Sequence, residues 1–168
     1  SKPAPAGEMP VVVGQGHGGV LFHESSGHGM EADLIAKEAS VYTGKQGKRI
    51  GDERFNGVDD ATVEGAWGSF AFDDEGTPAQ RTVLFQEGVL VGHLSDRSSA
   101  RRIEHPSTGN GRRQSYAHLP IVRMTNTYLL PGPDDAAEII RSVEKARGEA
   151  MPTPVLAEWM RGKPSPGA

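Results

Sequence analysis

Residues 20–33 read VLFHESSGHGMEAD, which sets His23 and His28 five positions apart with Glu24 directly after the first. Imidazole nitrogens suit zinc, and a catalytic zinc usually takes three protein ligands and leaves a fourth position to water. His23 and His28 supply two of the three. Glu24 stands where a carboxylate could take the proton of a metal-bound water as general base and pass it to a leaving amine. The spacing is the difficulty. Residues four apart lie about 40° apart around an α-helix, whereas five apart they lie roughly 140° apart, so a regular helix aims the two rings in different directions. A single π-type turn, bonded i to i+5, would return them to one face, and such bulges recur at functional sites. Gly27 and Gly29 each cost about 1 kcal/mol relative to Ala inside a helix. They predict either that distortion or a close approach to the backbone. The pattern alone leaves a metal site and two ordinary histidines both open, because short motifs also arise by chance.

The elements around the motif must position it. MPVVVG, residues 9–14, reads as a short strand closed by the glycines of GQGHGG, and residues 20–39 read as the motif-bearing helix. WGSFAF, residues 67–72, reads as a strand. RTVLFQEGVLVGHL, residues 81–94, reads as a hairpin turning at Glu87-Gly88. IVRMTNTYLL, residues 121–130, reads as one further strand with alternating faces. Asp134 or Asp135 can cap a helix over 135–147, whose Ile139, Ile140 and Val143 form an apolar stripe. Together these predict an α+β fold, an antiparallel sheet of hairpins with a helix carrying the histidines. No internal repeat is present.

Composition narrows the function classes. The 168 residues fit one domain, and 36% hydrophobic residues with 22 Gly and 12 Pro predict a modest core among many turns. A formal charge of −4 with no block of like charge argues against a phosphate-tracking nucleic-acid binder. The chain has no cysteine, which excludes disulfides, thiolate nucleophiles and cysteine zinc ligands within it and fits a reducing compartment. The first ten residues have neither a basic nor an apolar signal region, and the apolar runs are too short to span a bilayer. A cytoplasmic protein with no membrane contact is the expectation. Prolines 3, 5 and 10, and 152, 154, 164 and 166, predict a linker over 1–8 and a Pro/Gly-rich tail over 148–168, with the organised part at 9–147.

Other polar clusters admit two readings each. FDDEGTP places Asp73, Asp74 and Glu75 before a Gly/Pro turn, as solvated turn residues or as a carboxylate orienting a metal-bound histidine. TGNGRRQSYAHLP places Arg112, Arg113, Tyr116 and His118 on a loop, either as scattered surface charge or as a clamp on a substrate carboxylate or oxyanion. His93 and His105 read as ordinary surface or partly buried side chains. Arg97, Arg101 and Arg102 with Arg112 and Arg113 read as salt-bridging or peptide-binding rather than DNA-binding. An extended peptide could add as a strand to the 121–130 segment or to an edge of the 81–94 hairpin.

The motif HESSGHGMEAD followed in order by FDDEGTP, TGNGRR and RMTNT resembles the metalloprotease core of the TldD/PmbA family, the modulators of DNA gyrase, from about Met9 to Glu144. The intact HExxxH resembles the TldD-type rather than the PmbA-type (TldE) partner. The resemblance implies a zinc-dependent peptidase acting on unfolded or extended peptides, working as a homodimer or as a heterodimer with a PmbA/TldE-like subunit. It implies His23 and His28 as zinc ligands and Glu24 as general base, and it tips the loop of Arg112, Arg113, Tyr116 and His118 toward substrate contact. The family's third ligand is a cysteine far downstream. This sequence has none, and it resembles only about a third of a full-length member. Three readings follow: part of an active peptidase, a substitute ligand among His17, His118, Asp73 and Asp74, or a non-catalytic module that binds peptide or pairs with a relative.

Overall fold

The computed structural model describes residues 7, 8, 11–14, 16 and 18–147, with side chains through 143. The chain divides into two units, residues 19–132 and residues 1–18 with 133–168. In the second unit the described residues hold a single long helix, α4, Ala136–Arg147. Asp135 caps it as the sequence predicts, its carboxylate accepting the Glu138 amide at 3.0 Å. Residues 11–14 form no strand. Residues 1–6 and 148–168, which include most of the expected linker and tail, and His17 lie outside the described residues.

The larger unit is built on a four-stranded antiparallel sheet. Its strands are β1, Gly57–Asp60, β2, Arg81–Gln86, β3, Val89–Leu90, and β6, Thr127–Leu129, in the order β3-β2-β1-β6. A second, two-stranded ladder pairs β4, Gly111–Arg112, with β5, Ile121–Val122. The hairpin turns at Glu87-Gly88 as expected, with both residues at positive φ (49° and 75°), as a type I′ turn requires. At Gly88 a side chain would also strike the carbonyls of Gly51 and Asp52, so only glycine fits.

Two expectations about strands are corrected. WGSFAF forms no strand: only Phe72 makes a bridge, to Pro78, and Gly68 instead donates its amide to the Asn126 side chain at 2.9 Å. The 121–130 segment is two strands in different sheets. Between them the Thr125 amide bonds the Asp59 carboxylate and the Asn126 carbonyl takes the Asp60 amide, so the ladder is interrupted by side-chain bonding. Also missed in the sequence is β1, GVDD, an inner strand of the sheet. All four of its residues are buried. A buried carboxylate is tolerated only when fully hydrogen-bonded. Asp59 meets that condition, accepting from Asn110 Nδ2, the Thr125 amide and the Thr125 hydroxyl at 2.8 Å each and from the Thr127 hydroxyl at 2.6 Å.

The core lies between the sheet and the motif segment. Phe22, Met30, Leu84, Phe85, Leu90, Leu94, Val122 and Met124 form it, with Tyr42, Ile50 and Phe55 packed on its margin. Phe85 is its hub, its ring centroid 4.8 Å from Phe55, 6.1 Å from Tyr42 and 6.3 Å from Phe22. A short helix missed in the sequence, α3, Arg97–Arg102, starts at a capping box in which Asp96 and Ser99 bond each other's backbone amides.

Candidate metal centre

The predicted motif helix is broken into four pieces, and the breaks build the site. A helix α1, Gly18–Phe22, leads into one π-turn, His23–Gly27, then a 3₁₀ turn, His28–Met30, and a helix α2, Ala32–Ala36. The π-turn closes with the His28 amide donating to the His23 carbonyl, an i to i+5 bond between the two histidines themselves. The expectation from the five-residue spacing is met: the rings share one face, with Nε2 atoms 3.2 Å apart and ring centroids at 4.7 Å.

The glycines serve close packing rather than unusual backbone angles. Gly27 keeps helical angles, φ −55° and ψ −57°. A Cβ there would overlap Met124 Sδ and lie 3.1 Å from its Cε. At Gly29 a Cβ would lie 2.6 Å from the Tyr42 ring. Tyr42, which sequence reasoning did not single out, fixes the π-turn from outside: its hydroxyl donates to the Ser25 carbonyl at 3.3 Å or the Ser26 hydroxyl at 3.2 Å, while its ring packs on Phe85. A tyrosine eleven or more residues past the motif gives no local signal of that role.

Among the described residues, His23, Glu24 and His28 offer ligand atoms that all lie within 4.8 Å of one another. Two zinc ligands at 2.0–2.1 Å in tetrahedral array stand about 3.3 Å apart. The 3.2 Å between the imidazole nitrogens fits that separation. His28 Nδ1 lies 3.2 Å from Oε1 of Glu31, whose carboxylate also accepts from Arg123 Nη1 at 3.3 and 3.4 Å. Glu31 is 4% exposed. Burial pushes its carboxyl above the ordinary value, against the opposing pull of His28 and Arg123.

The pair opens on a cleft of about 560 Å³ lined by both histidines, Arg112, Arg113, Gln114, Ile121, Arg123, Met124 and Thr125. Arg112 donates to the Met124 carbonyl at 2.6 Å and stacks 5.7 Å above the Phe70 ring. Arg113 is bonded through its amide and guanidinium to Asp74. Asp73 accepts the amides of Glu75, Thr77 and Gly111, and Glu75 accepts the Arg97 amide at 2.7 Å. The DDEG carboxylates thus hold the loop that carries Arg112 and Arg113. The carboxylate beside a motif histidine is Glu31 instead.

Arg112 and Arg113 therefore line the cleft, whereas Tyr116 is exposed on the adjoining loop and His118 bonds Ser115 at 2.8 Å there. Neither His118 nor Asp73 nor Asp74 joins the histidine pair. Arg97, Arg101 and Arg102 line a separate hollow with Glu75 and Ser98, so the five arginines do not form one patch. His93 is buried, with its Nδ1 lacking a partner among the described residues, and His105 is exposed. No helix among the described residues is long and apolar enough to cross a membrane.

Comparison with known proteins identifies the family. A family profile described as the PmbA/TldA metallopeptidase C-terminal domain matches residues 6–147. The chain is 50% identical over 142 residues to a protein of Haemophilus influenzae named Metalloprotease TldD homolog, covering 84% of this chain and 30% of that one. It is 33% identical over 154 residues to the Zinc metalloprotease TldD homolog of Saccharolobus solfataricus, covering 91% and 34%. The crystal structure of TldE from Thermococcus kodakarensis superposes with a TM-score of 0.66 at 25% identity, over 74% of this chain and 28% of that one.

Fold and relatives together place the domain in the metallopeptidase class. More closely, the chain belongs to the PmbA/TldD metallopeptidase family, matching its C-terminal domain. It spans about a third of the length of the curated relatives it matches.

Proposed function

We propose that this chain carries the histidine pair and general base of a zinc peptidase acting on unfolded or extended peptides. The observation that carries the reading is the 3.2 Å approach of His23 and His28 Nε2 on a π-turn that also bears Glu24. When bound, zinc supplies Lewis acidity, polarising a carbonyl and acidifying water near neutral pH. His23 and His28 hold it through Nε2. Glu24 takes a proton from the attacking water and returns it to the leaving amine, a transfer that contributes typically 10²–10⁴ in rate. Arg112 and Arg113 orient the peptide from the facing wall of the cleft, with Tyr116 and His118 on the same loop contributing at its exposed rim. A third protein ligand comes from outside the described residues, either His17 or a donor on a longer or partnering chain.

The substrate adds as a strand beside β6. This strand is an edge of the four-stranded sheet and packs beside the π-turn, and at the opposite edge Arg49 bridges β3 at Val89. Cytoplasmic residence and pairing with a second copy or a TldE-like subunit belong to the same proposal; the likeness to TldE supports the pairing.

Zinc-loaded chain incubated with an unstructured peptide tests the reading. Glu24→Gln is expected to keep its zinc and lose hydrolysis at least about 100-fold. Wild-type protein that, with its third ligand supplied by the longer or partnering chain, holds zinc yet leaves the peptide intact would instead favour a non-catalytic module that binds peptide or pairs with a relative.

A further inference from the structure

Three residues past the second histidine the helix stops. Glu31 takes extended angles, φ −66° and ψ 120°, and its flanking backbone hooks onto Leu94, with the Leu94 amide donating to the Met30 carbonyl and the Ala32 amide to the Leu94 carbonyl. That break fixes the direction of one side chain. The Glu31 carboxylate reaches back to His28 Nδ1, and Arg123, from the segment joining β5 to β6, holds it from the other side. No local propensity asks for a buried acid here. Glu31 N–H and C=O groups already serve the turn, so the carboxylate itself is free to act on the histidine.

We infer that Glu31 is the positioning residue of the metal centre: it holds the Nδ1 proton of His28 and so leaves the Nε2 lone pair directed at the metal position. This inference rests on the zinc reading. A neutral imidazole carries one proton on either nitrogen, and whichever nitrogen donates leaves the other as the ligand. With His28 Nδ1 donating to Glu31, the nitrogen left to bind is the Nε2 that lies 3.2 Å from His23 Nε2. Arg123 keeps the acceptor in place by bonding both oxygens of the same carboxylate. The two sequence motifs HESSGHGME and RMTNT are thereby joined at one carboxylate.

Two readouts on the whole chain test it. Imidazole ¹⁵N shifts of metal-free protein, recorded above neutral pH, are expected to report Nδ1–H for His28. Glu31→Ala should lose the His28 preference, whereas Glu31→Gln, which keeps an acceptor oxygen, should retain it. Zinc titration against a chromophoric chelator should show roughly 10–100-fold weaker binding for Glu31→Ala, with Glu31→Gln nearer wild type. Circular dichroism of each variant checks that it is folded, and the His28 tautomer of the wild type carries the test if the alanine variant is not. His28 found as Nε2–H in the wild type, or Glu31→Ala binding zinc as tightly as wild type, overturns the positioning role and leaves the zinc reading standing. A Glu31-dependent tautomer in wild-type protein that binds no zinc even with its third ligand supplied overturns the zinc reading and the metal-orienting role together.

Discussion

Gly27→Ala puts the reason for a glycine in the π-turn to a quantitative test. The added methyl would overlap Met124 Sδ and stand 3.1 Å from its Cε, where ordinary carbon contacts lie at about 3.5–4.0 Å. Met124 is 4% exposed and belongs to the core, so its thioether must withdraw into packed neighbours. Overpacking of this kind costs about 1–3 kcal/mol, and the gain in helix propensity returns at most about 1 kcal/mol. The net expectation is a loss of about 1–2 kcal/mol, or roughly 2–8 °C in melting temperature. Met124→Ala alone opens a cavity and costs about 2–5 kcal/mol. In that background the alanine at 27 has room, so the double variant should be at least about 1 kcal/mol more stable than the sum of the singles predicts. Urea unfolding of the four proteins, followed by circular dichroism, gives the cycle. Additivity within about 0.5 kcal/mol would refute the packing argument and return the glycine to backbone freedom as its explanation.

Asp59→Ala removes the acceptor shared by Asn110, Thr125 and Thr127; the threonine hydroxyls are half-buried and can turn to water, but the Thr125 amide and part of the Asn110 amide cannot. A loss of about 2–5 kcal/mol in urea unfolding is expected, and a change under 1 kcal/mol would contradict the central place given to this carboxylate. Burial, with a smaller contribution from His105, holds the His93 pKa below its ordinary value of 6.5. The unfolded chain therefore binds more protons than the folded one as pH falls through about 6.5, and folding stability should fall with it. His93→Gln should flatten the pH dependence of the urea midpoint below that point, and parallel profiles for the two proteins would disprove the assignment.

What the sequence made legible was what local spacing determines. Two histidines five positions apart permitted one geometry that brings them together, and the π-turn has it. The Glu87-Gly88 turn and the Asp135 cap follow from backbone requirements confined to a few residues. The misses share a different cause. GVDD is a central strand because donors 51 to 68 residues downstream satisfy Asp59, and nothing within the four residues announces them. WGSFAF alternates like a strand, yet Gly68 packs against the 125–126 backbone and Trp67 is left fully exposed. The single run IVRMTNTYLL hides its break because Thr125 and Asn126 look like ordinary strand residues until their bonds to Asp59 and Asp60 are seen. At the site, the spacing found the histidines but not Glu31 or Tyr42, whose roles depend on where the chain goes after the motif.

The central claim is that His23 and His28 turn their Nε2 atoms to one shared zinc. Diffraction from zinc-soaked crystals, collected on either side of the zinc absorption edge, tests it most directly. The expected result is one anomalous peak within about 2.1 Å of both Nε2 atoms, absent in His23→Ala and in His28→Ala. A peak at any other residues, or a histidine pair that stays at hydrogen-bonding distance with no peak beside it, would contradict the claim.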